Sequence, residues 1–211
     1  MDRNQRRSLC DMDGRVVIVP GGTRGTGPAL AEGYVAAGAK VVVASRKPEA
    51  CKETEQHLEA LGGEALGVPT RLDDLKALRM LVDRTVDAFG GIDVVVNNVA
   101  NALAQPMGEY TPEAWAKSLD VKLRGPVLLV QEALPHLTRS EHAAVPNVLS
   151  GAAFPFSSTV SLHAIGKSGL LAATRAMAAE FAPHGIRVNA PSPGTVDTDM
   201  VRKNPPPRRR P

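Results

Sequence analysis

Cysteine and aromatic residues are scarce in this 211-residue chain, which has two cysteines and an aromatic content of 3%. Cys10 and Cys51 have neither the spacing of metal ligands nor that of a disulfide framework. No apolar run approaches the length of a membrane span, and the charged N-terminus lacks the apolar segment of a secretion signal. We therefore expect a cytoplasmic protein with no metal ion and no membrane partner.

Charge of either sign is also modest. The net charge is +3, and the basic residues cluster at the two ends of the chain, where no aromatic residue lies between them. Nucleic-acid-binding surfaces often combine basic and aromatic side chains. We interpret the terminal charges as solvated ends and expect no nucleic-acid partner.

Short apolar runs alternate with helical patterns along the chain. The runs continue without polar alternation, which indicates a parallel sheet covered by helices on both faces. The predicted fold is therefore a doubly wound α/β sheet in a single domain. Strands are predicted at 15–19, 40–44, 65–68, 93–96, 145–149 and 187–189, and helices at 28–38, 48–61, 73–89, 111–134 and 161–181.

The chain divides into a body and two ends. We predict a flexible N-terminal segment at 1–13, a dinucleotide-binding domain at 14–200 and a tail rich in proline and arginine at 201–211. No strand pattern follows 187–189, so we expect an exposed sheet edge there. Pro146 falls inside a predicted interior strand, where it removes a ladder hydrogen bond.

A glycine-rich turn, P-G-G-T-R-G-T-G, follows the first predicted strand. In a doubly wound sheet, such a turn lets backbone N–H groups and a helix terminus approach a pyrophosphate. Glycines also occur in tight turns for steric reasons alone, but the position between a strand and a helix favours a dinucleotide site. The predicted contacts are Gly21, Thr23, Arg24, Gly25, Thr26 and Gly27.

The end of the second strand indicates which dinucleotide binds. A free ribose 2′-hydroxyl calls for an acidic residue at this place, whereas a 2′-phosphate calls for arginine. The strand ends in Ser45 and Arg46 with no acidic residue, and Arg24 adds a second cation. The sequence therefore predicts NADP(H) in preference to NAD(H), although these arginines are also compatible with solvated surface charges.

Three side chains between 150 and 167 have a spacing that could bring their functional groups together in a catalytic site. Ser150 ends the fifth predicted strand, and His163 and Lys167 are four residues apart, a spacing that puts both on one face of a helix. A hydroxyl, an imidazole and an amine can therefore converge at the carboxyl edge of the sheet.

Several motifs, in their order and spacing, resemble the short-chain dehydrogenase/reductase family from about residue 14 to residue 200. They are G-G-T-R-G-T-G at 21–27, N-N-V-A at 97–100, N-V-L-S-G at 147–151, H-A-I-G-K at 163–167 and N-A-P-S-P-G-T-V-D-T-D-M at 189–200. The resemblance implies a Rossmann-like, NADP-dependent oxidoreductase that acts on a carbonyl or secondary alcohol.

The resemblance also implies an assembly and individual roles. The chain would form a homodimer or homotetramer through the helices around 115–131 and 161–181. Ser150 would hydrogen-bond the substrate oxygen, and Lys167 would bind the nicotinamide ribose. Further cofactor contacts would come from Leu72, Asn98, Pro193, Gly194, Val196 and Thr198.

Two catalytic positions depart from the family. The family tyrosine is replaced by His163, whose imidazole can exchange protons near neutral pH but is shorter than a phenol. Lys122 stands where the family usually has an asparagine that helps to order a relay water. A second cation there would raise the electrostatic cost of Lys167, unless Lys122 points outward into solvent.

Three functions stay open on the sequence. The first is an NADP(H)-dependent oxidoreductase with Ser150, His163, Lys167 and Lys122 at its catalytic centre. The second is a catalytically impaired NADP(H)-binding protein or partner subunit. The third is a degraded gene product.

Overall fold

The computed structural model describes residues 11–100, 105–154, 160–199 and 202. Over these residues the chain alternates strands with helices, and the six strands form one parallel sheet. The predicted doubly wound α/β fold is therefore confirmed. The predicted N-terminal segment and the proline- and arginine-rich tail lie largely outside the described residues.

The strand order places the switch point of the sheet at its centre. The order is β3-β2-β1-β4-β5-β6, so the chain runs outward from β1 to β3 and then returns to the other side of β1. Ligands of such sheets bind at the carboxyl ends of the strands on either side of this reversal. The strands are β1 (Val16–Pro20), β2 (Lys40–Ser45), β3 (Ala65–Pro69), β4 (Val94–Val95), β5 (Ala144–Pro146) and β6 (Arg187–Asn189).

Helices cover both faces of the sheet. One apolar cluster joins the first two helices to one face, and a larger cluster joins the remaining long helices to the other. This two-sided burial is the reason that the strands have continuous apolar runs. The helices are α1 (Gly27–Ala36), α2 (Pro48–Ala60), α3 (Leu75–Phe89), α4 (Pro112–Leu119), α5 (Gly125–Leu137) and α6 (Ser161–Phe181), with a π-helical turn at Asp120–Arg124.

The helix predicted over 111–134 contains a change of winding. Thr111 caps its start as expected, because its hydroxyl accepts from the Ala114 N–H at 3.2 Å. The π-helical turn divides it into α4 and α5, and here the Gly125 N–H donates to the carbonyl of Asp120, five residues earlier. Pro126 has no N–H to donate, so the wider turn lets the chain continue as a helix without that bond.

The two strands β4 and β5 are shorter than predicted. Val94 with Ala144 is their one pair in ladder register within the described residues, and an isolated bridge between Asn97 and Asn147 follows. The predicted strand lengths at 93–96 and 145–149 are therefore wrong, although both strands exist. In contrast, β6 and α6 have the predicted bounds.

Pro146 accounts for the interruption between β4 and β5. The Ala144 N–H donates to the Asp93 carbonyl at 2.9 Å, and the Val148 N–H donates to the Asn97 carbonyl at 2.9 Å. Pro146 lies midway in this alternation and has no N–H to donate. The expected loss of a ladder hydrogen bond thus falls at the centre of the sheet.

The described sheet ends at β6, which pairs with β5 alone. Arg187 and Asn189 are exposed there, whereas Val188 is buried in the larger apolar cluster. The expected exposed edge is therefore present among the described residues. In the part of the chain that the structure describes, no helix has the length and apolar character needed to span a membrane.

Gly27 and Gly33 give a matched test of how α1 packs. A Cβ on Gly27 would collide with the carbonyl oxygen of Gly21, whereas a Cβ on Gly33 would meet open space. We expect Gly27→Ala to lower the free energy of unfolding by about 3 kcal/mol, or to prevent folding, because the clash is with backbone. Gly33→Ala should raise it by up to about 1 kcal/mol through helix propensity. Urea unfolding measures both, and equal effects would contradict this packing.

Candidate active site

In the turn between β1 and α1, the backbone of residues 21–27 lies beside open space. Gly21 and Gly25 have φ angles of 73° and 64°, a conformation that favours glycine. Gly27 lets α1 begin directly against the turn, and the space around Gly25 is open. Backbone N–H groups at a helix terminus beside an open space suit the pyrophosphate of a dinucleotide.

A hydrogen bond fastens this turn to the end of β4. The Thr26 hydroxyl donates to Oδ1 of Asn98 at 2.9 Å, and Asn98 is buried. The bond spans the switch point between β1 and β4, where the strand order reverses. In the same turn, Thr23 is half-buried and Arg24 is exposed.

Two arginines flank one carboxylate beyond β2 and β3. Arg71 binds Asp73 with both ends of its guanidinium, at 2.6 and 3.1 Å. This hydrogen bond lowers the pKa of Asp73, and the charge of exposed Arg46 lowers it further. The predicted adenosine end of the site therefore holds two arginines, with the carboxylates of Asp73 and Asp74 beside Arg71.

The other two predicted residues at this end are less open to a ligand. The hydroxyl of Ser45 lies 3.3 Å from the Cys51 sulfur on α2. Leu72 packs against the larger apolar cluster. Its carbonyl oxygen lies where a side chain on Gly125 would be, so Leu72 supports the start of α5.

The loops after β5 and β6 are tied together beside Ser150. Ser150 caps a short 3-10 turn, where its hydroxyl oxygen accepts from the Ala152 N–H at 3.2 Å. The Gly151 N–H donates to the Pro193 carbonyl at 2.9 Å. This bond holds the predicted nicotinamide loop next to Ser150; Gly194, Val196 and Thr198 follow in the same loop.

Lys167 lies under the carboxyl edge of the sheet. Its side chain is 1% exposed, and its amine donates to the carbonyl of Val148 at 2.5 Å and to that of Val99 at 3.3 Å. Burial, together with the charge of Lys122, lowers the pKa of Lys167 to about 8. The amine is thus a cation at neutral pH with backbone oxygens as its partners. His163 lies one turn earlier on α6 and is half-buried.

Lys122 is buried rather than solvated. Its side chain is 0% exposed, and its amine donates to the Ser118 hydroxyl at 2.5 Å. Burial lowers the pKa of Lys122 to about 8. The outward orientation is therefore wrong. The physical reason is that Gly166 on α6 has no side chain, which leaves room for the Lys122 stem.

A chain of buried polar groups holds this edge together where Pro146 interrupts the ladder. The Asn97 amide donates to Oδ1 of Asn147 at 2.8 Å, and the Asn147 amide donates to the Thr174 hydroxyl on α6 at 2.9 Å. The ends of β4 and β5 are thereby fixed to the helix that carries Lys167. Satisfied networks of this kind make a buried arrangement specific.

Sequence reasoning missed several residues that shape the site. Ser118 precedes Lys122 by four residues, so helical spacing alone could have paired them. Gly166 interrupts an alanine-rich helix directly before Lys167, which was a detectable signal. The carbonyls of Val99 and Val148 had no signal, because any residue type supplies a backbone oxygen. Among the described residues, no group of His, Cys, Asp and Glu side chains could hold a metal ion.

Comparisons with known proteins agree with this geometry. The sequence model of the family described as short chain dehydrogenase matches residues 15–209. Tropinone reductase-like 3 from Erythroxylum coca is 36% identical over 190 residues, which cover 90% of this chain and 72% of that protein.

Solved structures of other proteins are similar to this chain over most of their length. A short chain dehydrogenase from Burkholderia cenocepacia J2315, in complex with NADP, has a TM-score of 0.84 and 34% identity, covering 90% of this chain and 77% of the other. A short-chain type dehydrogenase/reductase from Mycobacterium marinum has a TM-score of 0.87 and 29% identity, covering 93% and 78%. The sheet order, the glycine turn and these matches together show that the chain belongs to the short-chain dehydrogenase family of oxidoreductases.

Proposed function

We propose that this protein is an NADP(H)-dependent oxidoreductase that interconverts a carbonyl compound and a secondary alcohol. The position of Lys167 carries this proposal. One of its partners, Val99, also packs against the glycine turn, because a Cβ on Gly21 would lie 3.2 Å from the Val99 side chain. The other partner, Val148, lies two residues before Ser150. The amine therefore sits between the cofactor turn and the substrate-binding hydroxyl.

The residues present fit a nicotinamide dinucleotide. The turn at 21–27 offers backbone N–H groups to the pyrophosphate. The Lys167 ammonium has one N–H left for a ribose hydroxyl, because its other two donate to the carbonyls of Val99 and Val148. The loop from Pro193 to Thr198 would lie along the nicotinamide. When bound, NADPH supplies a hydride to the substrate carbon.

The chain itself handles the substrate oxygen and the proton. The Ser150 hydroxyl donates a hydrogen bond to the carbonyl oxygen, which polarises it as negative charge develops there. A proton from His163, directly or through one water, then completes the alcohol. In alcohol oxidation the same proton returns to His163. The Lys167 ammonium stabilises the oxygen anion electrostatically in both directions.

The charge beyond β2 supports the choice of NADP(H). Arg46 is exposed and has no acidic residue before it at the end of β2. Arg24 is exposed in the glycine turn of the same site. The similar structure from Burkholderia cenocepacia is a complex with NADP. The homodimer or homotetramer through 115–131 and 161–181 stays a prediction of the family resemblance.

The second candidate is a protein that binds NADP(H) without turnover. His163 favours it, because an imidazole stands at the position of the family's tyrosine. The two candidates share the cofactor site and differ at the proton donor, so measurements of binding and of turnover separate them.

Replacement of Arg46 tests the cofactor choice. We expect Arg46→Asp to weaken NADPH binding at least about tenfold, since it removes a cation beside the 2′-phosphate and adds a like charge. NADH binding should weaken far less. Fluorescence titration with both nucleotides measures this. Arg139→Asp, at an exposed arginine after α5, is the matched control. Equal NADPH affinity in the wild type and Arg46→Asp would contradict the assignment.

Replacement of His163 tests the proton donor. We expect the wild type to reduce members of a ketone panel with NADPH, and His163→Phe to lower kcat by about 10² to 10⁴-fold. NADPH affinity should stay unchanged, because the cofactor contacts are elsewhere. His184→Phe, beyond the end of α6, is the control.

Two outcomes would contradict the proposed catalysis. Wild-type protein that binds NADPH without turnover, combined with turnover in His163→Tyr, would establish the binding-only candidate. Absence of NADPH binding in folded protein would exclude both candidates.

A further inference from the structure

Lys122 contacts Gly166, the residue that immediately precedes Lys167 on α6. We propose that these two residues form a complementary pair and that Lys122 is a positioning residue for Lys167. In this pair, the Lys122 stem sets how closely α6 packs on the π-helical turn, and the Lys122 charge sets how firmly Lys167 holds its proton. The consequence for the cofactor rests on the proposed function, but the pair itself does not.

Packing is the first observation. A Cβ on Gly166 would lie 3.0 Å from Cβ and 3.1 Å from Cδ of Lys122, so the lysine stem fills the space of an absent side chain. One turn along α6, a Cβ on Gly169 would lie 2.9 Å from the Leu123 side chain. Two glycines of α6 therefore face two consecutive residues of the π-helical turn. Because Gly166 immediately precedes Lys167, this contact fixes the position of the Lys167 backbone.

Burial of the amine is the second observation. Lys122 reaches Ser118 inside the protein, and both residues are 0% exposed. Burying an ammonium without a carboxylate partner costs free energy. Burial at this place therefore destabilises the charged form of the Lys122 amine. Proteins normally put lysine at the surface. Other interactions in the site must therefore offset the free-energy cost of burying the Lys122 amine.

No carboxylate in the described part of the chain lies close enough to raise the pKa of either amine. Asp120 binds Arg124 at 2.8 Å in the π-helical turn, and Glu132 of α5 binds Arg79 of α3 at 3.1 Å. The other titratable groups on the elements around the two lysines are Tyr110 before α4, Glu113 and Lys117 on α4, His136 on α5, His163, Arg175 and Glu180 on α6, Asp93 before β4, and Arg187 on β6.

The ammonium groups of Lys122 and Lys167 therefore repel each other, because no carboxylate offsets their charges. The Lys122 charge lowers the pKa of Lys167 below the value that burial alone would leave. Above the pKa of about 8, Lys167 becomes a neutral amine and loses its charge-assisted hydrogen bonds. Removal of the Lys122 charge should consequently raise the pKa of Lys167 and extend its ammonium form to higher pH.

A lysine titration tests the electrostatic part on the full chain without cofactor. Lysine labelled with ¹³C at the ε carbon reports each amine by NMR as pH rises, and loss of one signal in Lys167→Arg assigns it. In Lys122→Met, which keeps the apolar stem, we expect the pKa of Lys167 to rise by at least about half a unit. Lys76→Met, at an exposed lysine of α3, should leave it unchanged. An unchanged Lys167 pKa in Lys122→Met would overturn the proposal.

A double-mutant cycle tests the packing part. Gly166→Ala should lower the urea midpoint in the wild-type background, where the Lys122 stem is in the way. In the Lys122→Gly background, which also removes the Cβ that lies 3.0 Å away, this loss should shrink to roughly half or less, because residues in contact are not additive. Equal losses in the two backgrounds would overturn the complementary pair.

If Gly166→Ala does not fold alone, folding restored by Lys122→Gly supports the pair. Failure to fold in both backgrounds overturns it. Neither measurement uses NADPH, so an inactive or non-binding protein refutes the proposed function and leaves this inference standing.

Discussion

The hydrogen bonds from the Lys167 amine to the carbonyls of Val99 and Val148 are the interaction on which the site depends. A buried ammonium is tolerated only when oxygens replace the water it has lost. Here the oxygens belong to the two chain segments that follow β4 and β5. One segment packs on the glycine turn, and the other leads into Ser150. A single amine therefore connects the segment on the glycine turn to the segment that leads into Ser150.

Polar side chains hold the sheet together beneath that amine, where a ladder hydrogen bond is missing. Pro146 removes a ladder hydrogen bond between β4 and β5 at the centre of the sheet. Beyond it, the amides of Asn97 and Asn147 and the Thr174 hydroxyl continue the connection to α6. Side-chain hydrogen bonds are directional, so this arrangement also orients the helix that carries His163 and Lys167.

Much of the fold was predictable because its signals are local. Apolar runs and helical spacing identified the strands and helices, and the bounds of α6 and β6 agree with the structure. The lengths of β4 and β5 were wrong, because strand pairing depends on the N–H groups of the neighbouring strand. The burial of Lys122 could not be predicted from its own segment, since a lysine in a helix normally reaches solvent. Its orientation depends on Gly166 in another helix.

The pH dependence of NADPH binding is the most direct test of the central claim that the Lys167 ammonium joins the cofactor to the site. Burial and the Lys122 charge lower its pKa to about 8, so the ammonium is present at pH 7 and lost by pH 9.5. Isothermal titration across this range should show the NADPH dissociation constant rising by about tenfold as pH passes 8. A dissociation constant that stays the same from pH 7 to pH 9.5 would contradict the account.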